Sequence, residues 1–410
     1  MLATTISRQH QKRERARVHI EVGCRHVRTY VPFGRRSSGG EGQSVAEFEK
    51  EVIREVKAKG AVRGYITAEY GHGKTSTALY LWQQARDANL LAVPPFQLNK
   101  LTDLIQATYG WARHEIGRTR PGSPALAEAE TLYRGLIDRN AAAYARRYAI
   151  AEETARQMIR DKPDILELNP ADYIAFFEGM TALAHHAGYD GLLVLADELQ
   201  QYIDPEVKAG IKDPVTPFFD VISNILTRRN HLAFGLIVII PPRELDVLRD
   251  QRGDFIHRLL QVSLDLRTVY DQEFPGRLWA SLAREHDFAD HRDRVLSAEC
   301  LRALGQIGAR PELSDGPRTV INTFRRATRL YAERGYPHDR PYSPEALVDD
   351  LLAGNIRYDS SKRIAQVTAR VLDHSLVKGQ PARERAVKWA AAFPNEGVPR
   401  DMQELSLIHI

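Results

Sequence analysis

The stretch Ala68-Glu69-Tyr70-Gly71-His72-Gly73-Lys74-Thr75 constrains this chain more than any other. It fits the pattern G-x-x-x-x-G-K-[ST] except at its first position, where Ala68 stands for Gly. Gly71 and Gly73 permit positive φ and leave no side chain between backbone N–H groups and a polyphosphate. Lys74 has the reach for the β- and γ-phosphates, the Thr75 hydroxyl is a ligand for Mg²⁺, and Ser76 continues the phosphate-binding run. Val62 to Thr67 ahead of it is β-rich. Behind it Ala78, Leu79, Leu81, Trp82 and Ala85 give a helix an apolar face. Strand, glycine loop and helix N-terminus are the arrangement an anion needs. The competing reading is a glycine-rich turn with a chance Gly-Lys-Thr. The flanking strand and helix favour the phosphate loop, and Ala68 is small enough for the point where the loop leaves the strand.

A second motif lies downstream. Gly191 to Glu198 is a continuous apolar run ending in two carboxylates, Asp197 and Glu198. Such a run suits a strand buried on both faces of a parallel sheet. At its C-terminal end Asp197 is placed to hold the Mg²⁺ shell and Glu198 to orient or activate water. The other reading is a strand leading into an acidic helix N-terminus. With a phosphate loop upstream, the metal-and-water reading dominates.

Three more runs read as strands: Leu90 to Val93, ended by Pro94-Pro95; Leu232 to Ile240; and Gln261 to Leu266. Between the second and third of the five strands, residues 98–186 are almost wholly helical. Leu101, Leu104, Ile105 and Tyr109 form one stripe, Ala125 to Met158 is rich in helix formers, Pro163 and Pro170 break the run, and Tyr173 to His185 resumes it. No heptad is sustained, so this is an insertion and not a coiled coil. The pattern predicts an α/β fold, a parallel five-stranded αβα sandwich with a ligand at the C-terminal edge of its sheet.

At 410 residues the chain has room for two or three domains. Residues 1–43 are poorly patterned and basic, as in a solvated tail or a nucleic-acid arm. Ser44 as N-cap opens a helix through Val45, Phe48, Val52, Ile53 and Val56 and starts an expected phosphate-loop core at 44–272. A helical lid at 273–335 carries Leu278, Leu282 and His286, then Ala298 to Ile307. A last lid helix opens at Gly316-Pro317-Arg318 and runs through Thr319, Ile321, Phe324, Ala327, Leu330 and Tyr331. Pro317 suits a first helical position, but Arg318 opposes the helix dipole there, a hint of another purpose. Residues 336–404 suggest three short helices, at Ser343, at 361–374 and at 383–393. They fit a winged-helix module or a plain helical bundle equally well. Lys362, Arg363, Arg370, Lys378, Arg383, Arg385 and Lys388 make them a candidate DNA contact. One codon choice for residues 405–410 resembles a transposon end used in sequencing libraries, so native sequence is expected to continue beyond Glu404.

Net charge is +4, which neither demands nor excludes nucleic acid. Two cysteines, Cys24 and Cys300, supply no disulfide framework or Cys-rich metal site. With no signal-like segment and no apolar run of bilayer length, the expectation is a cytoplasmic protein with no membrane partner.

Residues 46–335 resemble an AAA+ ATPase module of the origin-recognition and STAND-like branch. The resemblance rests on the AEYGHGKT loop, the LLVLADE strand, Arg258 ahead of the last strand and the GPRTV helix start. It implies ATP and Mg²⁺ as cofactors, ATP hydrolysis and self-association. It also implies Arg318 as a lid contact to the γ-phosphate and Arg258 as an arginine finger, with Arg252 a second candidate. The polar sensor such ATPases carry near the end of the fourth strand is absent, its place taken by Pro241-Pro242. DELQQYID (Asp197 to Asp204) and DFIHRLLQVSLDL (Asp254 to Leu266) are similar to the large ATPases of bacteriophage-exclusion systems, which implies DNA-linked phage defence and defence-system protein partners. The alternative is a nucleotide-dependent switch or scaffold with little turnover.

Overall fold

A computed structural model describes residues 44–68, 72–162, 165–166, 168–199, 232–251, 262–266, 272–285, 289, 292–308, 316–335, 339–353 and 355–356. The N-terminal segment, the helices anticipated at 361–374 and 383–393 with their basic set, and the last six residues lie outside these ranges. The chain forms two compact units: Val45–Ala68 with Lys74–Asp265, and the residues from Leu266 on, with which Glu69–Gly73 group.

The first unit is built on five parallel strands, β1 (Val62–Thr67), β2 (Leu91–Gln97), β3 (Leu192–Asp197), β4 (Phe234–Ile240) and β5 (Val262–Asp265), in the order β2-β3-β4-β1-β5. β3 and β4 are interior strands buried at every residue, which is why both read as unbroken apolar runs. Edge strand β5 alternates instead, with Val262 and Leu264 buried and Ser263 exposed.

Helices cover both faces. On one, Val56 of α1 (Val45–Lys57) lies against Gly191 and Gly235. Beside it α2 (Lys74–Asp87) ties Trp82 Nε1 to the Ala92 carbonyl at 2.9 Å. On the other face Leu192, Val194, Ala196, Leu236 and Val238 share a core with α3 (Thr102–Thr119), α4 (Ala125–Tyr148) and α6 (Pro170–His186). Leu245 and Leu248 of α7 (Pro242–Gln251) join that core. The helical insertion is present, with α5 (Glu152–Asp161) packed on α4 through Ile137, Ala141, Ala155 and Ile159. Pro170 begins α6: Asn169 and Asp172 form a reciprocal capping box and the proline takes the first turn, where its missing N–H costs nothing.

One strand boundary differs from expectation. β2 does not stop at Val93 but runs through Pro94 and Pro95 to Gln97, with its register shifted between Val93 and Phe96. β2 is an edge strand, where prolines cost little because one side of the ladder is unpaired. The extension carries Gln97 to the level of Asp197.

The second unit is helical: α8 (Phe274–Glu285), α9 (Arg292–Val295), α10 (Ala298–Gly308), α11 (Pro317–Glu333) and α12 (Pro344–Leu352). Trp279 meets Phe324 with ring centroids 4.9 Å apart. Asp350 accepts hydrogen bonds from Tyr342 Oη at 2.8 Å and Arg326 Nε at 3.1 Å, fastening α12 to α11. The inward stripe of α11 is Val320, Thr323, Phe324 and Ala327. Ile321, expected on that stripe, is exposed, because helical spacing from Phe324 and Ala327 selects Val320. Among the described residues no helix is long and apolar enough to cross a membrane.

Candidate functional site

β1 delivers the chain to Ala68, which is fully buried, and α2 starts at Lys74. Gly73 between them has φ +84°, a backbone a side chain would strain. Lys74 Nζ donates to the Ala68 carbonyl at 2.7 Å. One residue on, Thr75 Oγ1 donates to Asp197 Oδ2 at 2.8 Å. Ser76 sits exposed on the same first turn. Glu69, Tyr70 and Gly71 lie outside the described residues, as do Arg252 and Arg258.

Asp197 ends β3 and is buried. Burial pushes its carboxyl above the usual aspartate value, and the Glu198 charge pushes the same way. The Thr75 hydroxyl, the Glu198 N–H and the Lys74 charge oppose the shift without cancelling it. The Glu198 N–H donates back to Asp197 Oδ1 at 2.8 Å. Glu198 itself has φ +56°, in the left-handed region that non-glycine residues rarely adopt. Strain of this kind concentrates at functional sites.

Glu198 Oε2 accepts a hydrogen bond from Gln97 Nε2 at 2.5 Å. Sequence reasoning missed Gln97, because the two prolines ahead of it signalled the end of the strand. Past β4, Pro241 and Pro242 stand where a polar residue was sought. The first carboxylate after them is Glu244, whose Oε2 is buried without a hydrogen-bond partner.

In the second unit, His72 is 4% exposed, and its ring lies against Gly316, the residue that caps α11. Arg318 is exposed in the first turn of that helix.

Chemically, the first unit assembles a helix N-terminus, a lysine ammonium, a hydroxyl beside a carboxylate, and a second carboxylate next in sequence. The first two attract anions. A hydroxyl and a carboxylate in contact are the hard oxygen donors that Mg²⁺ takes, so the pair fits that ion.

The chain matches no protein-family description and no curated protein. Among solved structures it is similar to the ORC2 protein of Aeropyrum pernix, solved as ADPNP–ADP complexes. The two are 14% identical over 94% of this chain and 88% of that one, with a TM-score of 0.38. The fold described above stands on its own strand order and register.

Proposed function

We propose that this chain binds ATP with Mg²⁺ and hydrolyses it, as an ATPase of the AAA+ type. The observation that carries the reading is the Thr75–Asp197 hydrogen bond, which joins the end of the glycine loop to the end of the acidic strand. Lys74 exchanges the neutral Ala68 carbonyl for charged phosphate oxygens, a stronger, charge-assisted bond. Thr75 and Asp197 would hold Mg²⁺, whose charge, when bound, offsets that of the phosphates. Glu198, next to Asp197, orients water and takes its proton. Arg318 contacts the γ-phosphate and Arg258 reaches a neighbouring subunit's nucleotide; both roles come from the AAA+ resemblance. The same resemblance, with the bacteriophage-exclusion one, makes a DNA-linked process such as phage defence the work driven, in self-associated protein in the cytoplasm.

Two substitutions test the core of this. Lys74→Ala weakens ATP binding at least about tenfold, about 1.4 kcal/mol. Glu198→Gln keeps binding and loses hydrolysis, since the amide preserves shape but not basicity. Equal affinity of wild type and Lys74→Ala removes the phosphate-loop reading.

A second reading is a nucleotide-dependent switch with little turnover. It is favoured by the Gln97 hydrogen bond that engages Glu198 and by the prolines after β4. Wild-type turnover no higher than that of Glu198→Gln, with partners present, decides for the switch.

A further inference from the structure

We propose that His72 is a positioning residue that ties the phosphate loop to the first turn of α11, so that nucleotide held by the loop sets the placement of Arg318. The inference rests on the nucleotide reading above. His72 occupies a position of the loop pattern that phosphate binding leaves open to any residue. An aromatic ring there would ordinarily face water, yet this one is 4% exposed. Gly316 is part of what covers it: a Cβ on Gly316 would fall 2.9 Å from His72 Cδ2 and 3.0 Å from Nε2.

Gly316 is required twice over. Its backbone, at φ +54° and ψ −123°, is one that glycine adopts and other residues resist. Its bare Cα is also what lets the ring approach. The contact is ring against backbone, with no flexible side chain between to absorb a shift. Two residues later comes Arg318, and the helix buries Val320, Phe324 and Ala327 along its inward face. A displacement of the loop at His72 therefore reaches the helix start directly. Arg318 sits there against the helix dipole, an arrangement that an anion relieves.

Hydrogen–deuterium exchange over residues 317–323 of the full chain, with and without Mg²⁺-ATP, tests this, with ATP binding measured on the same samples. ATP is expected to slow exchange there about threefold or more in the wild type, as protection reports local opening. His72→Ala should still bind ATP and lose that slowing. His72→Phe, which keeps a flat ring on Gly316, should retain it. Should His72→Ala not fold, His72→Asn, which withdraws the ring, is read the same way. Gly316→Ala introduces the clash itself and should weaken ATP binding about tenfold. Adding His72→Ala should recover part of that loss, the backbone strain remaining. Full slowing in an ATP-bound His72→Ala protein, absence of slowing in ATP-bound wild type, or a double variant no better than Gly316→Ala each overturns the coupling. A wild type that binds no ATP overturns the nucleotide reading as well, and the separate binding measurement tells the two failures apart.

Discussion

Thr75 and Asp197, 122 residues apart in sequence, share a 2.8 Å hydrogen bond at the C-terminal edge of the sheet. The bond leaves a carboxylate buried beside a hydroxyl and one backbone N–H. Burial outweighs both donors, so the Asp197 carboxyl is raised from 3.8.

The sign of that shift gives a stability prediction. Asp197 holds a proton more tightly in the folded chain than in the unfolded one. Its contribution therefore favours folding at low pH and turns into a cost as pH rises from 3.8 through the raised folded value. Asp197→Asn removes the cost. The amide oxygen keeps the Glu198 N–H, and the Thr75 hydroxyl reverses to accept from the amide NH₂. The variant should melt about 2–4 °C above wild type at neutral pH. The gain should vanish in acid, while Mg²⁺-dependent nucleotide binding is lost. A variant less stable than wild type at neutral pH contradicts the account of burial.

Gln97 holds Glu198 by a side-chain hydrogen bond at 2.5 Å, and the Glu198 backbone is fixed at φ +56°. The Gln97 N–H occupies a carboxylate oxygen that would otherwise be open to water. Gln97→Ala should raise basal ATP turnover by about threefold or more with ATP affinity unchanged, a kcat effect without a ground-state binding effect. Steady-state kinetics with direct binding measurements check this. A fall in turnover would mean that Gln97 presents Glu198 to water instead of restraining it.

Much of this arrangement was legible in the chain. β3 and β4 announced themselves because interior strands of a parallel sheet are apolar on both faces, and β1 as the β-rich run ahead of Gly73-Lys74-Thr75. The β2 extension was not legible, since Pro94 and Pro95 are breakers in most strands and are tolerated here by an edge position that only the sheet order reveals. Gln97 was hidden for the same reason. His72 and Gly316 were hidden because their contact joins segments far apart in sequence, and neither residue type advertises a partner.

Glu115 of α3 accepts from Arg86 of α2, Nη2 at 2.9 Å, and from Arg118, Nη2 at 2.8 Å, with its side chain 6% exposed. This anchors the helical insertion to α2. Burial alone would raise the Glu115 carboxyl, but the two arginines outweigh it and lower it from 4.5. The resulting stability is fully present above 4.5 and is lost as pH falls through the lower folded value. Glu115→Ala leaves Arg86 largely buried without its carboxylate partner, beside Gln83 Oε1 at 3.4 Å and the Trp82 ring, at a cost of about 3 kcal/mol in chemical denaturation. Glu115→Gln should cost less, and its stability should fall less than that of wild type between neutral and acid pH. Parallel pH profiles for Glu115→Gln and wild type would remove the ion pair from the account.

Arg318 should behave in the opposite way, mattering for turnover and not for folding. It is exposed in the first turn of α11, where the helix N-terminus carries partial positive charge. A cation there is unfavourable by about 0.3–1 kcal/mol before solvent screening. Folding therefore gains nothing from it, and Arg318→Ala should be as stable as wild type or slightly more so. If the arginine instead meets the γ-phosphate, the same substitution removes stabilisation of charge that spreads over the phosphoryl oxygens in the transition state. ATP turnover should then fall by about tenfold or more with modest change in ATP affinity. Arg318→Lys restores charge without the planar fork and should recover only part of the loss. Melting curves and ATPase assays on the three proteins separate the cases. Unchanged turnover in Arg318→Ala returns Arg318 to the solvated surface, and a turnover loss matched by a lower melting temperature assigns it a structural role.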